Sequence, residues 1–292
     1  MSRAGKSSAP KGTANYVNLQ GVGRAMAVLE QLAEGGMRPK DLSQALGLKW
    51  TTLYRTLAYL HDHGYVERDE ATGMYYIGGR LYYIGSSYVN HLPVLQGALP
   101  YLNAAADQLG ATAQLCQRSG RRSLVLLVAE PARGEYIPKT TIGFHFPLHC
   151  GAKGQVLLAY SSPGFIDEYL SEPLQALTPH TITEPSKMRD RLEAIRANGY
   201  AITKRDVQLS TAATACPVMD ASGQVTGSVT LIVSHAEFRR KEARLVDATS
   251  RASQAISLLT GWRPEAGTRQ AEDDRAAPGD RRRQSHRGPT LS

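Results

Sequence analysis

In the segment Lys49 to His63, the residue types with chemistry to offer fall on one side of a helix. At about 100° per residue, Thr51, Arg55, Tyr59 and Asp62 project together, Thr52 and Ala58 sit at the edges of that face, and Tyr54 lies near its boundary. Trp50, Leu53, Leu57 and Leu60 converge on the other side, which predicts that they face a core. An arginine so placed donates two hydrogen bonds to guanine O6 and N7, and a threonine bonds phosphate or touches a thymine methyl. A tyrosine hydroxyl can bond a phosphate. This is recognition chemistry. An amphipathic helix with a polar face is common on its own, so its neighbours must decide what the face is for.

Other reactive residue types do not assemble. Gly21-Val22-Gly23 opens a glycine-rich pattern, but Met26 stands at the sixth position and no strand leads into it, so it reads as helix entry. His61 and His63 point in different directions on a helix, and Pro147 interrupts any face shared by His145 and His149. Neither pair comes with ligands at zinc spacing. Ser8 and Lys11 lie in a stretch too poor in apolar residues to hold a catalytic base in place. Cys116, Cys150 and Cys216 form an odd, scattered set, which reads as buried thiols. No nucleophile, acid-base pair, metal set or cofactor motif is expected, which argues against an enzyme.

The elements that position the helix have a definite order. Residues 21 to 34 place Val22, Ala25, Met26, Leu29 and Leu32 at helical spacing. A short second helix follows, with Leu42, Ala45 and Leu46 on one face and Gly47 as its stop. After the third helix, the runs Tyr65 to Arg68 and Met74 to Ile77 flank the turn Ala71-Thr72-Gly73. Three short helices and a hairpin describe a winged helix-turn-helix. A connecting helix is expected over Ile77 to Val89.

Beyond it, Leu95, Leu99, Leu102, Ala106 and Leu109 repeat at helical spacing. Strand pairs are expected at 113–118 with 123–129, and at 201–206, 212–219 and 224–233. Helices are expected near 149–160, 164–170, 186–198 and 236–260. Hairpins dominate, so the spacing predicts an α+β domain with an antiparallel sheet and helices packed to one side.

Bulk properties set the outer bounds. The 292 residues suggest about two domains. The net charge of +8 admits a polyanionic partner, yet it is spread evenly: 10 basic against 7 acidic residues in 1–90, 17 against 14 in 91–262, and 7 against 5 in 263–292. Bulk charge therefore singles out no segment. No apolar run approaches the ~18 residues of a membrane span, and the N-terminus lacks the apolar stretch of a secretory signal, so a cytoplasmic location is expected.

The segments QALGLKWTTLYRTLAYLHDHGYVERD, FPLHCGAKGQVLLA, LEAIRANGYAITKRD and ATACPVMDASGQVTGSVTLIV resemble the IclR family of bacterial transcription regulators, in its order and spacing, over roughly residues 17 to 261. The resemblance implies a winged helix that binds double-stranded operator DNA, a linker helix, a GAF-like effector domain with flanking helices that takes a small organic acid, and assembly as dimers or tetramers. It carries Arg24 over as a backbone contact, and Trp50 stands where the family often has Lys. The candidate DNA-binding set is Arg24, Lys49, Thr51, Thr52, Tyr54, Arg55 and Tyr59. For the effector, the resemblance points to His149, Ala152 and Lys153, and to Thr203, Ala213, Thr230 and Ile232. Thr203, Ala213, Thr230 and Ile232 replace acidic and hydroxylated family positions, so an apolar or aromatic acid is expected; Lys153 would partner its carboxylate if that side chain faces inward, and the alternative reading places Lys153 on a solvated helix face.

The expected organisation is a disordered tail at 1–16, a winged helix-turn-helix at 17–79, a linker helix at 80–92, an effector domain at 93–262 and a second disordered tail at 263–292. The expected partners are operator DNA, a small-molecule effector and further copies of the chain, with no membrane, metal or cofactor. Two alternatives are an effector-converting enzyme tethered to DNA and a winged helix that binds protein.

Overall fold

The computed structural model describes residues 21–92, 94–133 and 141–263, and two compact units divide at residue 92. Both expected tails lie outside the described residues apart from Arg263.

The first unit runs α1 (Val22–Ala33), α2 (Pro39–Leu46), α3 (Trp50–Asp62), β1 (Val66–Arg68), β2 (Tyr75–Ile77) and α4 (Gly79–Asn90). Pro39 opens α2, and Gly47 closes it in the left-handed conformation at φ 62°, where a side chain would be strained. That turn delivers Leu48 to a core built from Val28, Leu32, Leu42, Leu53, Leu57 and Val66. Each such side chain contributes roughly 1.5–3 kcal/mol by leaving water. The strands pair in antiparallel register from Val66 with Ile77 to Arg68 with Tyr75. Asp69 shapes the turn between them, Oδ1 accepting from the Ala71 N–H at 2.9 Å and Oδ2 from the Thr72 hydroxyl at 2.7 Å. Met37 bridges to Tyr75 through two backbone hydrogen bonds of 3.0 and 2.8 Å, so the wing is tied to the segment before α2.

Three details differ from the periodicity. In α1 the buried face is Ala27, Val28, Leu29 and Leu32, while Val22 and Met26 are exposed. Trp50 does not join the core and is 48% exposed. Helical side chains lean toward the N-terminus, so a residue in the first position overhangs the helix start instead of reaching the Leu53, Leu57 and Leu60 ridge. Third, the connecting helix expected from Ile77 starts at Gly79, because Ile77 pairs with Val66 in β2; of the side chains of α4 none is fully buried, and Leu81 packs half-buried against this core.

The second unit runs α5 (Val94–Leu109), β3 (Thr112–Ser119), β4 (Arg122–Ala129), β5 (His145–Pro147), α6 (Gly151–Ala159), α7 (Pro163–Ser171), α8 (Pro185–Asn198), β6 (Ala201–Lys204), β7 (Thr211–Met219), β8 (Val225–Ser234) and α9 (His235–Leu259). The sheet order is β5-β4-β3-β8-β7-β6, antiparallel at every pairing. The short strand β5 carried no periodicity of its own. Helices cover both faces of this sheet, which corrects the expectation of one side. On one face Thr214 of β7 hydrogen-bonds Thr249 of α9 at 2.6 Å; on the other the Ser228 hydroxyl of β8 donates to the Lys153 carbonyl of α6 at 3.3 Å. Thr214 and Ser228 point to opposite faces because Ser228 pairs with Pro217, three residues from Thr214.

The helix α6 lies between the sheet and α8, and all of its residues are buried. It has no solvent-facing polar stripe, and its two polar side chains are both paired inside, Lys153 with Gln114 and Gln155 with Asp206. At Gly154 a β-carbon would stand 2.5 Å from the Leu148 carbonyl oxygen, so only glycine lets the loop before α6 fold back onto it.

Candidate functional site

The first candidate surface is the exposed side of α3. Arg55 and Thr51 point to solvent, and among the described residues no hydrogen bond or ion pair holds the Arg55 guanidinium. Lys49 precedes the helix as an exposed N-cap residue whose side chain makes no capping bond. Thr52 is half-buried, and its carbonyl accepts the Thr56 hydroxyl at 3.0 Å. Tyr54 is 43% exposed and meets Trp50 edge to face, with ring centroids 4.6 Å apart. Tyr59 stacks on His63 at 4.1 Å, and the His63 Nδ1 donates to the Tyr59 carbonyl at 2.8 Å. Arg24 is half-exposed in the first turn of a different helix, α1. The face thus holds a guanidinium and a hydroxyl without partners among the described residues, and three exposed aromatic rings.

The second is a cleft of about 530 Å³, including its open mouth, where the start of α6 meets β6, β7 and β8. Six of the seven effector candidates line it: Ala152 and Lys153 from α6, Thr203 from β6, Ala213 from β7, and Thr230 and Ile232 from β8. The seventh, His149, does not. Its ring is buried elsewhere, with Nδ1 2.8 Å from the Tyr169 hydroxyl and Nε2 2.9 Å from the Gln175 carbonyl. A carbonyl only accepts, so Nε2 carries the proton and Nδ1 accepts from Tyr169. Burial lowers the His149 pKa, in keeping with a neutral ring that orders the loop ahead of α6.

Lys153 is the centre of the cleft's electrostatics. It is 5% exposed; its Nζ donates to Gln114 Oε1 at 2.9 Å and lies 4.3 Å from the centre of the Phe146 ring. No ion pair to a carboxylate holds it among the described residues, and burial pushes its pKa below the ordinary lysine value. A dry ammonium with only an amide and a ring as partners is costly, and an entering anion would offset that cost. The Thr230 Oγ1 and Gln114 Nε2 are also buried, with no hydrogen-bond partner among the described residues.

Asp206 is a lining residue that the sequence reasoning missed, together with Phe146, Val207 and Gln208. Its Oδ2 accepts the Gly151 N–H at 2.7 Å and the Gln155 side-chain amide at 3.2 Å, while Oδ1 is buried with no hydrogen-bond partner among the described residues. Burial raises its pKa, opposed in turn by the Gly151 N–H, Thr181 and Arg191. A neighbouring bond from the Ala152 N–H to Thr203 Oγ1 at 3.1 Å means that two side chains, one from β6 and one from the segment after it, cap the start of α6. Two signals were available: Asp206 closes the polar run at the end of β6, and Gln114 is the one polar residue in the run Ala113 to Cys116. Among the described residues no group of three His, Cys, Asp or Glu could hold a metal ion, and no helix is long and apolar enough to cross a membrane.

Comparison with known proteins agrees with this geometry. Residues 21–70 match the model of the IclR helix-turn-helix domain, and residues 86–258 match that of the bacterial transcriptional regulator IclR C-terminal domain. The DNA-binding transcriptional repressor YiaJ of Escherichia coli (strain K12) is 29% identical over 249 residues, covering 83% of this chain and 88% of the relative. The crystal structure of an IclR transcriptional regulator from Alicyclobacillus acidocaldarius superposes with a TM-score of 0.72 at 25% identity, covering 82% of this chain and 98% of that one. An IclR homologue from Microbacterium hydrocarbonoxydans, crystallised with 4-hydroxybenzoate, shares the fold at a TM-score of 0.71 and 21% identity, covering 81% of this chain and 97% of that one.

A winged helix-turn-helix followed by an antiparallel-sheet domain with its own cleft defines a helix-turn-helix transcriptional regulator. The chain belongs to the IclR family.

Proposed function

We propose that the exposed side of α3 enters the major groove of operator DNA and that a small aromatic or otherwise apolar acid in the cleft controls operator affinity. The domain division expected from the sequence, 17–79 for DNA, 80–92 as linker and 93–262 for the effector, goes with this reading. Arg55 and Thr51 contact base edges, Lys49, Thr52, Tyr54 and Tyr59 contact flanking bases or backbone, and Arg24 contacts a phosphate. The exposed apolar side chains of α4, Tyr82, Tyr83, Ile84, Tyr88 and Val89, favour self-association. A twofold dimer presents two recognition helices about 34 Å apart, so the operator is a near palindrome.

The observation that carries the effector class is Lys153, a buried cation without a carboxylate partner in a cleft with apolar walls at Phe146, Ala152, Val207, Ala213 and Ile232. The ligand's carboxylate takes the ammonium and Thr230 Oγ1, its apolar body lies along those walls, and a hydroxyl at its far end donates to Asp206 Oδ1. The 4-hydroxybenzoate bound by the Microbacterium homologue has this combination of groups. Binding alters DNA affinity only through unequal affinity for two arrangements of the assembly, an effect typically of ~1–3 kcal/mol.

Thermal-shift screening of the full chain against aromatic, aliphatic and small hydroxylated acids tests this, followed by a footprint with and without the hit. Aromatic or apolar acids should raise the melting temperature and change operator occupancy. Tight binding confined to small hydroxylated acids would contradict the effector class.

A further inference from the structure

The indole of Trp50 has no role in the core and none in the set of contacts above. It occupies the first position of α3, is 48% exposed, and is held edge to face against Tyr54, itself 43% exposed. A large ring kept half in water is costly unless a partner covers it. The position is informative, because the first turn of a recognition helix is the part that approaches base edges most closely. Trp50 flanks Thr51 in sequence, and the exposed arc of α3 passes from Trp50 and Tyr54 through Thr51 to Arg55. One edge of the reading surface is therefore apolar and aromatic, while its middle is polar.

In the major groove, the base-edge group that an apolar surface can recognise is the C5-methyl of thymine, which distinguishes A·T from the other pairs without a hydrogen bond. We propose that Trp50 is a specificity-determining residue that packs its indole on a thymine methyl at the edge of each half-site, with Tyr54 fixing the ring's orientation. The inference rests on the reading of α3 as the recognition helix. It assigns Trp50 to base recognition, not to the general phosphate attraction that a lysine at that position would supply. An indole offers a phosphate one N–H donor and no charge, so affinity gained here is insensitive to salt and sensitive to sequence.

The test uses the full chain and the operator fragment found by footprinting the DNA beside its own gene. Thymines in each half-site are replaced singly by deoxyuridine, which removes only the methyl group, and affinities are measured for the wild type, Trp50→Ala and Trp50→Phe. One thymine per half-site should matter to the wild type, costing about fourfold in affinity per methyl, the size expected for one buried carbon group. In Trp50→Ala that replacement should have no further effect, while Trp50→Phe should retain part of it. Melting temperatures of both variants should match the wild type, because Trp50 is outside the buried cluster of this unit.

A wild type indifferent to every replacement, or a Trp50→Ala chain with the same profile as the wild type, would overturn the role of Trp50 alone. Equal weakening of Trp50→Ala on every sequence would do the same and make the ring a backbone contact. Failure of the wild type to bind any sequence specifically would overturn the reading of α3 as well.

Discussion

Arg55 and Lys153 are both cations that we assign to anionic or electron-rich partners, and the fold treats them in opposite ways. Arg55 stands in water on the outside of α3, supported by no hydrogen bond or ion pair among the described residues. Lys153 is sealed against Gln114 and Phe146, with its charge disfavoured by burial. On the reading proposed above, the exposed side of α3 keeps its charge hydrated and so would meet phosphate and base edges quickly over a long range. The cleft keeps its charge dry, where a single carboxylate gains far more than it would at the surface. On that reading one surface would serve encounter and register, and the other selectivity toward a small molecule.

The sharpest way to break this contrast is to remove the dry charge. Lys153→Met should cost an aromatic acid about 2–5 kcal/mol of affinity, the range for truncating one partner of a buried charged contact, measured by calorimetry. A loss below about 0.5 kcal/mol would put the carboxylate elsewhere. Removing the wet charge should do less. Arg55→Ala should cost ~1–3 kcal/mol on the operator and relax specificity at one base pair per half-site, with thermal stability unchanged within about 0.5 kcal/mol. Uniform weakening on every sequence would make Arg55 a phosphate contact.

The contrast also predicts a pH dependence confined to the cleft. Burial holds the Lys153 pKa below its ordinary 10.5, and a bound carboxylate raises it again. Effector affinity should therefore be constant below the depressed pKa and fall by up to about tenfold per pH unit above it. Lys153→Met should abolish that slope. For the fold the sign is opposite: between the depressed pKa and 10.5 the unfolded chain binds more protons than the folded one, so this group's contribution to stability rises with pH through that window. The smallest effect concerns the thiols. Burial pushes Cys116 up to about 11 and Cys216 up to about 12, and Cys150 higher still, so a thiol reagent at pH 8 should label none of the three until the chain unfolds.

What the sequence could say depended on whether a signal was local. The helices and most strands were legible because each carries its own period, and Gly47 and Gly64 mark the ends of α2 and α3. The strand β5 was not, because three residues ending in Pro147 acquire strand character only by pairing with β4. The cleft was legible at the positions that the family resemblance supplied, and six of those seven meet in one place. Asp206 and Gln114 carried only a local polarity signal, since the pairing that sets β3 beside β8 and the packing that sets the segment after β6 against α6 are long-range. His149 was displaced from the cleft by a partner, Tyr169, twenty residues away on α7. Trp50 fell on the core side of a helical wheel, but a wheel ignores position along the axis.

Methylation protection of guanine N7 on the operator, comparing the wild type with Arg55→Ala, reports most directly on whether the polar side of α3 occupies the major groove. One guanine per half-site should be shielded by the wild type and regain reactivity with Arg55→Ala, while protection elsewhere persists. Identical methylation patterns for the two proteins would contradict the placement of this helix.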